Sequence, residues 1–251
     1  MATKTKHFVV NAICGLVYGR DRRRYVRTVL NGNVIRNVRF VRANLGTRIN
    51  RIRIRTGYRG LNIVIIANDK WAFKFPVAVP NATETARREK RIVDALTRFC
   101  PVKVPRIELL EMPNDDGTTT TVRKYEFVRG VTVRDMPVKT ALANINKLAP
   151  QMAAAVYAIS CADPTEIRDL KPTPRARAGY MRGWSQGDIC DNFMIDPKTM
   201  KIIAYIDWED AAFTDMTPMF RNNRKTPNKE IMAAVAHEYD KLWRHDHGDK
   251  K

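Results

Sequence analysis

The chain has 251 residues and a mass of 28.8 kDa, enough for one large or two small cores. Its 44% hydrophobic content and mean hydropathy of −0.40 are ordinary for a soluble globular protein, and its four cysteines, far apart and without CxxC spacing, argue against a disulfide frame and for a reducing, cytoplasmic setting. The formal net charge is +19, and residues 1–60 hold fifteen basic side chains against the single acid Asp21, so most of the excess belongs to the N-terminal part.

Residues 8–18 are largely apolar but too short to span a bilayer. Lys4 and Lys6 precede them as in a signal peptide, yet no small-x-small cleavage site follows. Arg20, Arg22, Arg23, Arg24 and Arg27 come next, with Tyr25, Val26, Val29 and Leu30 at helical spacing. An apolar patch followed by a basic amphipathic turn suggests a helix on an anionic membrane surface through residues 8–30, placing the protein on the inner face of the cytoplasmic membrane. The other reading packs Phe8–Tyr18 on the body and leaves the arginines solvated. Residues 1–45 are therefore set apart as a basic amphipathic N-terminal segment.

From residue 34 the pattern reads as β. Val34–Arg42 and Arg51–Arg55 alternate basic and apolar residues, as strands with one wet face do. Leu61–Ala67 and Trp71–Val77 follow as strands around the tight turn Asn68-Asp69, after a Gly57-x-x-Gly60 turn. Asn81-Ala-Thr-Glu84 has the form of a capping box. It opens a helix with Ile92, Val93 and Leu96 on the inner face, where Glu89 also falls. An acid there needs a partner, because an unpaired buried charge is costly. Val104–Leu110 and Thr119–Phe127 read as two more strands.

After Gly130 the text turns helical: Val138–Leu148, then Gln151–Ser160 with Pro150 as its first residue. The connection 162–184 is rich in proline and arginine (Arg168, Arg175, Arg177, Arg182), which suits either an anionic acceptor or plain loop solvation. Phe193–Ile195 and Ile202–Ile206 then form a hairpin around the turn 196–201. Asp188 and Asn192 stand at its entrance and Asp207 at its exit, an oxygen-donor set suited to a hard divalent cation. Glu230–Trp243 closes the chain as an amphipathic helix, and His245-Asp-His247 reads as a solvated tail. No histidine spacing marks a metal site, since Lys241 stands where a second zincin histidine would follow His237-Glu238.

The segment Gly187-Asp188…Asn192…Ile206-Asp207-Trp208-Glu209 resembles the catalytic and metal segments of the aminoglycoside phosphotransferase and choline kinase group. The resemblance runs through five segments in family order over residues 50–220. It implies an α+β, two-lobed protein-kinase-like fold: an antiparallel-sheet N-lobe with one helix over residues 46–128 and a mainly helical C-lobe with a catalytic hairpin over residues 129–251. It makes Asp188 the catalytic aspartate that, as a base, takes the acceptor hydroxyl's proton, and Asn192 and Asp207 the magnesium ligands. Trp71-Ala-Phe-Lys74 resembles the kinase strand whose lysine holds the ATP phosphates, and the alternative for Lys74 is a solvated strand edge. Glu89 becomes the partner of that lysine, with Glu84 second, unless Glu89 pairs with an arginine of its own helix. Backbone groups of Glu126 to Val128 would meet the adenine edge, and Gly57 and Gly60 would arch over the phosphates.

Two departures stand out. Gln186 occupies the place of the family's histidine, and three residues rather than four separate Asp188 from Asn192, which leaves Asp191 as a substitute metal ligand. The resulting expectation is an ATP- and magnesium-dependent kinase acting on a hydroxyl of a small molecule, a sugar or envelope glycolipid. The alternatives are a pseudokinase that binds nucleotide or docks, and a basic nucleic-acid-binding protein. The charge lacks interleaved stacking aromatics and sits mainly in one terminal segment, which argues against nucleic acid.

Overall fold

The computed structural model describes residues 9, 12–14, 16–57, 60–77, 79–171, 182–216 and 229–248, with Cys190 described by its backbone alone. The chain divides into two units. One comprises Met1–Arg87 and Ile107–Phe127, the other Arg88–Arg106 and Val128–Lys251. Arg175 and Arg177 of the basic connection lie outside the described residues, as do Tyr58 and Arg59 at the tip of the glycine turn.

Alternating apolar residues build the sheet of the first unit. Strands β1 (Ile52–Thr56), β2 (Asn62–Ala67), β3 (Trp71–Pro76), β4 (Glu108–Pro113) and β5 (Thr119–Glu126) pair antiparallel in the order β1-β2-β3-β5-β4. The β2–β3 connection is the two-residue turn Asn68-Asp69, with both residues at positive φ (54° and 51°), the backbone that matches the twist of a tight hairpin. Asn68 also accepts from the Asn50 and Arg51 amides and donates to the Arg48 carbonyl.

Residues 34–42, expected as a strand, are helical. Helix α1 (Arg20–Asn31) and helix α2 (Val34–Asn44) precede the sheet. The reason is tertiary. Val34, Val38, Val41 and Leu45 repeat at helical spacing and lie on one stripe. That stripe meets Ile63, Ile65, Phe73, Phe75, Met112 and Val122 on one face of the sheet. Val41 is fully buried there, and burial of such a side chain is worth about 1.5–3 kcal/mol, more than the local β preference of valine. A Cβ on Gly32, between the helices, would stand 2.1 Å from Ile63 Cδ1. The arginines of α1 stay exposed, and Leu16 and Tyr18 just before it are 89% and 90% exposed.

Helix α3 (Ala82–Leu96) buries Ala86, Glu89, Ile92, Val93 and Leu96, so Glu89 does share the apolar face. Asn81 stands immediately before the helix at φ 54°, and its carbonyl accepts from the Thr85 amide.

The second unit contains α4 (Val138–Ala143), α5 (Ile145–Ser160), a 3-10 segment (Thr165–Leu170), β6 (Arg182–Ser185), α6 (Ile189–Asn192), β7 (Phe193–Asp196), β8 (Lys201–Tyr205), β9 (Ala212–Asp215) and α7 (Lys229–His247). The helix break expected at Pro150 falls instead at Asn144, and Pro150 lies inside α5. The backbone bond lost there is outweighed by the burial of Leu148, Met152, Val156 and Ile159. Helix α5 packs on α7 through edge-on rings of Tyr157 and Tyr239, with a buried hydrogen bond between Ser160 and Tyr239 hydroxyls at 2.8 Å. The tail is not loose. α7 continues to His247, whose ring stacks on Trp243 at 3.9 Å. Bidentate pairs Arg91–Asp169 and Arg98–Glu166 tie the end of α3 to the 3-10 segment.

Candidate active site

Two short ladders place the acids of the second unit. β6 pairs antiparallel with β9, and β7 with β8. Asp188 lies in the connection from β6 to β7 and Asp207 in the connection from β8 to β9, so the pairing sets these two connections side by side. Aromatic rings, all buried except the half-buried Phe213, fix the ladders. Phe193 stacks on Tyr205 at 3.9 Å, Trp208 meets Tyr205 edge-on at 5.2 Å, and Trp184 meets Phe213 edge-on at 5.7 Å. The Trp208 indole N–H donates to the Tyr205 carbonyl, and the Ile206 amide donates to the Asn192 carbonyl at 3.0 Å. That last bond joins the hairpin entrance, where Asn192 stands, to its exit.

Gln186 links the two connections. It is 2% exposed. Its Nε2 donates to the Ile206 carbonyl at 2.9 Å and to the Asp207 carbonyl, and its Oε1 accepts from the Asp188 amide at 2.8 Å. A carboxamide has both the donors and the acceptor for this arrangement. The departure from the family's histidine is therefore occupied by a side chain that holds the backbones of both Asp188 and Asp207. The sequence marked Gln186 only as a departure from the family's histidine and not as a clamp, because a buried carboxamide bonded to main chain leaves no periodicity. Gly187 follows at φ +102°, and a Cβ there would lie 3.1 Å from Asp210 Cβ.

Between Asp188 and Asn192 the three intervening residues wind into the single turn α6, with Asp188 as its N-cap accepting from the Asp191 amide at 3.4 Å. Asp191, the alternative metal ligand, pairs through one carboxylate oxygen with Arg134 at 2.7 Å. Burial pushes the Asp188 carboxyl above its ordinary range, and the neighbouring charges of Asp191 and Asp207 push the same way, against the Asp191 amide and Arg134. Asp207 is exposed, with φ 60°, a backbone region that asparagine and aspartate tolerate better than other side chains. Among the described residues no cluster of three His, Cys, Asp or Glu forms a metal site by itself. The expected ligands Asn192 and Asp207 stand at the two ends of one hairpin, joined through the Ile206 amide and the Asn192 carbonyl, and an all-oxygen pair of this chemistry suits magnesium, which takes one or two protein ligands and completes its shell with waters and phosphate oxygens.

The other expected residues are placed as follows. Lys74, on β3 of the first unit, is 5% exposed, which removes the reading of a solvated strand edge. Glu89, on α3, is 4% exposed. Glu126 ends β5 and is exposed, and Val128 is half-buried at the start of the second unit's main segment. Gly57 and Gly60 close a turn, with the Gly60 amide donating to the Gly57 carbonyl. Gly60 has φ +75°, and a Cβ there would stand 2.2 Å from Thr28 Oγ1 of α1, so helix packing alone already requires glycine at that position. A hollow along the edge of β1 is lined by Tyr25, Arg53, Ile54, Arg55 and Thr56; it includes none of the acids above.

No family model matches the sequence, and no curated protein matches it either. Solved structures do match in shape. The GDP complex of wild-type aminoglycoside 2'-phosphotransferase-IIIa aligns with a TM-score of 0.66 at 16% identity, over 83% of this chain and 83% of that one. The fold is that of the aminoglycoside phosphotransferases. The streptomycin–ATP ternary complex of APH(2")-IIa aligns at 0.55 and 13% identity over 83% and 84% of the two chains. The apoenzyme of macrolide 2'-phosphotransferase MphH from Brachybacterium faecium aligns at 0.56 and 16% identity, over 82% of each. The aminoglycoside phosphotransferase fold bears out the expected α+β, protein-kinase-like architecture with its antiparallel sheet and helical part.

Proposed function

We propose that the protein transfers the γ-phosphoryl group of ATP to a hydroxyl of a small molecule. The observation that carries this reading is the Gln186 clamp, which holds the backbones of Asp188 and Asp207 together in a chain with the phosphotransferase fold. Asp188, its carboxyl raised by burial and by its acidic neighbours, orients the acceptor hydroxyl and takes its proton. Lys74 neutralises phosphate charge, and backbone groups from Glu126 to Val128 meet the base. Asn192 and Asp207 would hold magnesium, which when bound offsets the charge of the transferring phosphoryl group. Catalysis of this kind rests on positioning and electrostatics rather than covalent chemistry.

The acceptor we favour is a sugar or an envelope glycolipid presented at an anionic membrane surface. Its support is the run of exposed arginines on α1 beside the exposed Leu16 and Tyr18, a pairing suited to the headgroup region. No helix among the described residues is long and apolar enough to cross a membrane. The test is nucleotide consumption with magnesium against a panel of free sugars, glycolipids in anionic vesicles, aminoglycosides and macrolides, for wild type and Asp188→Ala. Turnover of one acceptor class that vanishes in the variant supports the reading. Thermal stabilisation by nucleotide with no turnover of any acceptor would instead identify a nucleotide-binding docking module, the reading that the three-residue spacing between Asp188 and Asn192 favours. Vesicle binding unchanged by Arg20→Glu, Arg24→Glu and Leu16→Ser together would remove the membrane surface.

A further inference from the structure

Arg88, Arg91 and Arg98 belong to the second unit, and they differ in what they reach there. Arg91 pairs with Asp169 and Arg98 with Glu166, each through two bonds. All four of those side chains are exposed, and surface pairs of this kind contribute little. Arg88 is half-buried instead, and its Nη2 donates at 2.7 Å to the main-chain carbonyl of Ala211. Ala211 is fully buried. A charged donor makes a stronger bond than a neutral one, and a buried carbonyl that loses its donor is costly to leave unmatched. Of the three arginines, Arg88 is the one whose removal is felt beyond the surface.

Ala211 closes the turn that opens directly after Asp207. Its amide donates to the Trp208 carbonyl at 3.0 Å, and Trp208 is buried, with its indole bonded to the Tyr205 carbonyl. Strand β9 begins at the next residue, where Ala212 pairs with Ser185. Gln186 holds the near end of the same segment through the Ile206 and Asp207 carbonyls. Residues 207–211 are therefore gripped by one side chain at each end, Gln186 from the side of β6 and Arg88 from α3. Asp207 itself stands at φ 60°, a conformation that persists only where the surroundings hold it.

We propose that Arg88 is a positioning residue for Asp207: by fixing the Ala211 carbonyl it closes the 208–211 turn and sets the aspartate's backbone for metal binding. This rests on the phosphotransferase reading and deepens it, by assigning α3 a part in the site that carries Asp207. Arg88 acts on main chain four residues from the carboxylate. Its loss should therefore fall on magnesium affinity and turnover, and not on nucleotide binding without metal. Groups that orient a metal ligand from behind typically govern about tenfold to a hundredfold in metal affinity.

The test compares the full chain with Arg88→Met, Arg88→Lys and Arg91→Met, the last removing a surface tie of the same helix as a structural control. Thermal unfolding is followed with ADP in a chelator and with ADP under a magnesium titration, and ATP consumption is followed over the same titration. Arg88→Met is expected to raise the half-saturating magnesium concentration about tenfold or more in both titrations. Stabilisation by ADP in the chelator should stay as in wild type. Arg88→Lys keeps a charged donor and should recover part of the loss, while Arg91→Met should leave the magnesium requirement unchanged. If Arg88→Met does not fold, Arg88→Gln and Arg88→Lys decide the matter: a raised requirement, larger in the glutamine variant, supports the proposal, and wild-type values in both overturn it. A requirement in Arg88→Met equal to wild type, or matched by Arg91→Met, would overturn the proposal while ADP stabilisation leaves the phosphotransferase reading standing. No stabilisation of the wild type by ADP, with or without magnesium, would overturn both.

Discussion

Replacing Gln186 with leucine keeps the volume of a side chain that is 2% exposed and removes its three hydrogen bonds to main chain. The Asp207 carbonyl belongs to an exposed residue and can turn to water, whereas the Ile206 carbonyl and the Asp188 amide belong to half-buried residues that water reaches less readily. Two such groups left without a partner cost toward the lower part of about 1–3 kcal/mol each, so the expected loss is about 3 kcal/mol. For a chain of this size that corresponds to a fall in Tm of roughly 6–12 °C. The catalytic effect should be larger than the stability effect, because the side chain spans the two connections that carry Asp188 and Asp207. A misplacement of roughly 1 Å can cost on the order of a hundredfold in rate. Thermal unfolding by circular dichroism and single-turnover phosphotransfer, each on Gln186→Leu and Gln186→His, measure the two separately. Imidazole offers one acceptor and one donor, so the histidine variant should retain the Asp188 amide bond and one carbonyl bond and recover most of both losses. A leucine variant within about 1 kcal/mol of wild type and with unchanged turnover would refute the clamp.

Asp188→Asn tests the raised carboxyl directly. Because the folded-state pKa lies above the ordinary one, the contribution of this group to stability is present at acid pH and is lost as pH rises through the folded value. The asparagine variant should therefore be more stable than wild type at neutral pH, with the gap closing on acidification, while phosphotransfer falls by about a hundredfold or more; a variant less stable at pH 7 contradicts this. Arg134→Ala removes the charge that draws the Asp188 carboxyl down and frees Asp191, so the acid limb of the pH–rate profile should move to higher pH. The lost surface pair itself should cost no more than about 1 kcal/mol in a denaturant titration. Gly183→Ala places a Cβ 2.4 Å from the Ser160 carbonyl oxygen, backbone that cannot yield without separating β6 from α5. Overpacking of this kind costs about 1–3 kcal/mol, read as a drop in unfolding midpoint.

The strands were legible where local chemistry and tertiary demand agree. Asn68-Asp69 marks its own turn, and both residues do adopt positive φ. Glu89 was placed on the buried face of α3 by spacing alone, and that face is buried. Residues 34–44 misled because β-branched residues alternate with arginine over a short window, while the helical repeat of Val34, Val38, Val41 and Leu45 shows only when carried one turn further. Pro150 misled because proline is normally a boundary, and here the apolar surface of α5 runs straight through it. The positions of Asp188 and Asp207 in the chain were readable, but the side chain that joins them was not. Gln186 bonds only to main-chain atoms, and such bonds are specified by the pairing of β6 with β9 and β7 with β8, which no single segment encodes.

The packing of α2 against the sheet has a practical consequence for anyone dissecting the N-terminal segment. Removing residues 1–45 would strip the cover from Ile63, Phe73 and Phe75 as well as discarding the arginines of α1. A shortened chain would then expose a broad greasy surface and stick to lipid, to nucleic acid or to itself for reasons unrelated to the native protein. Charge-reversing point changes on α1 leave that cover in place, so they, and not a deletion, are the tool for asking what the basic end is for.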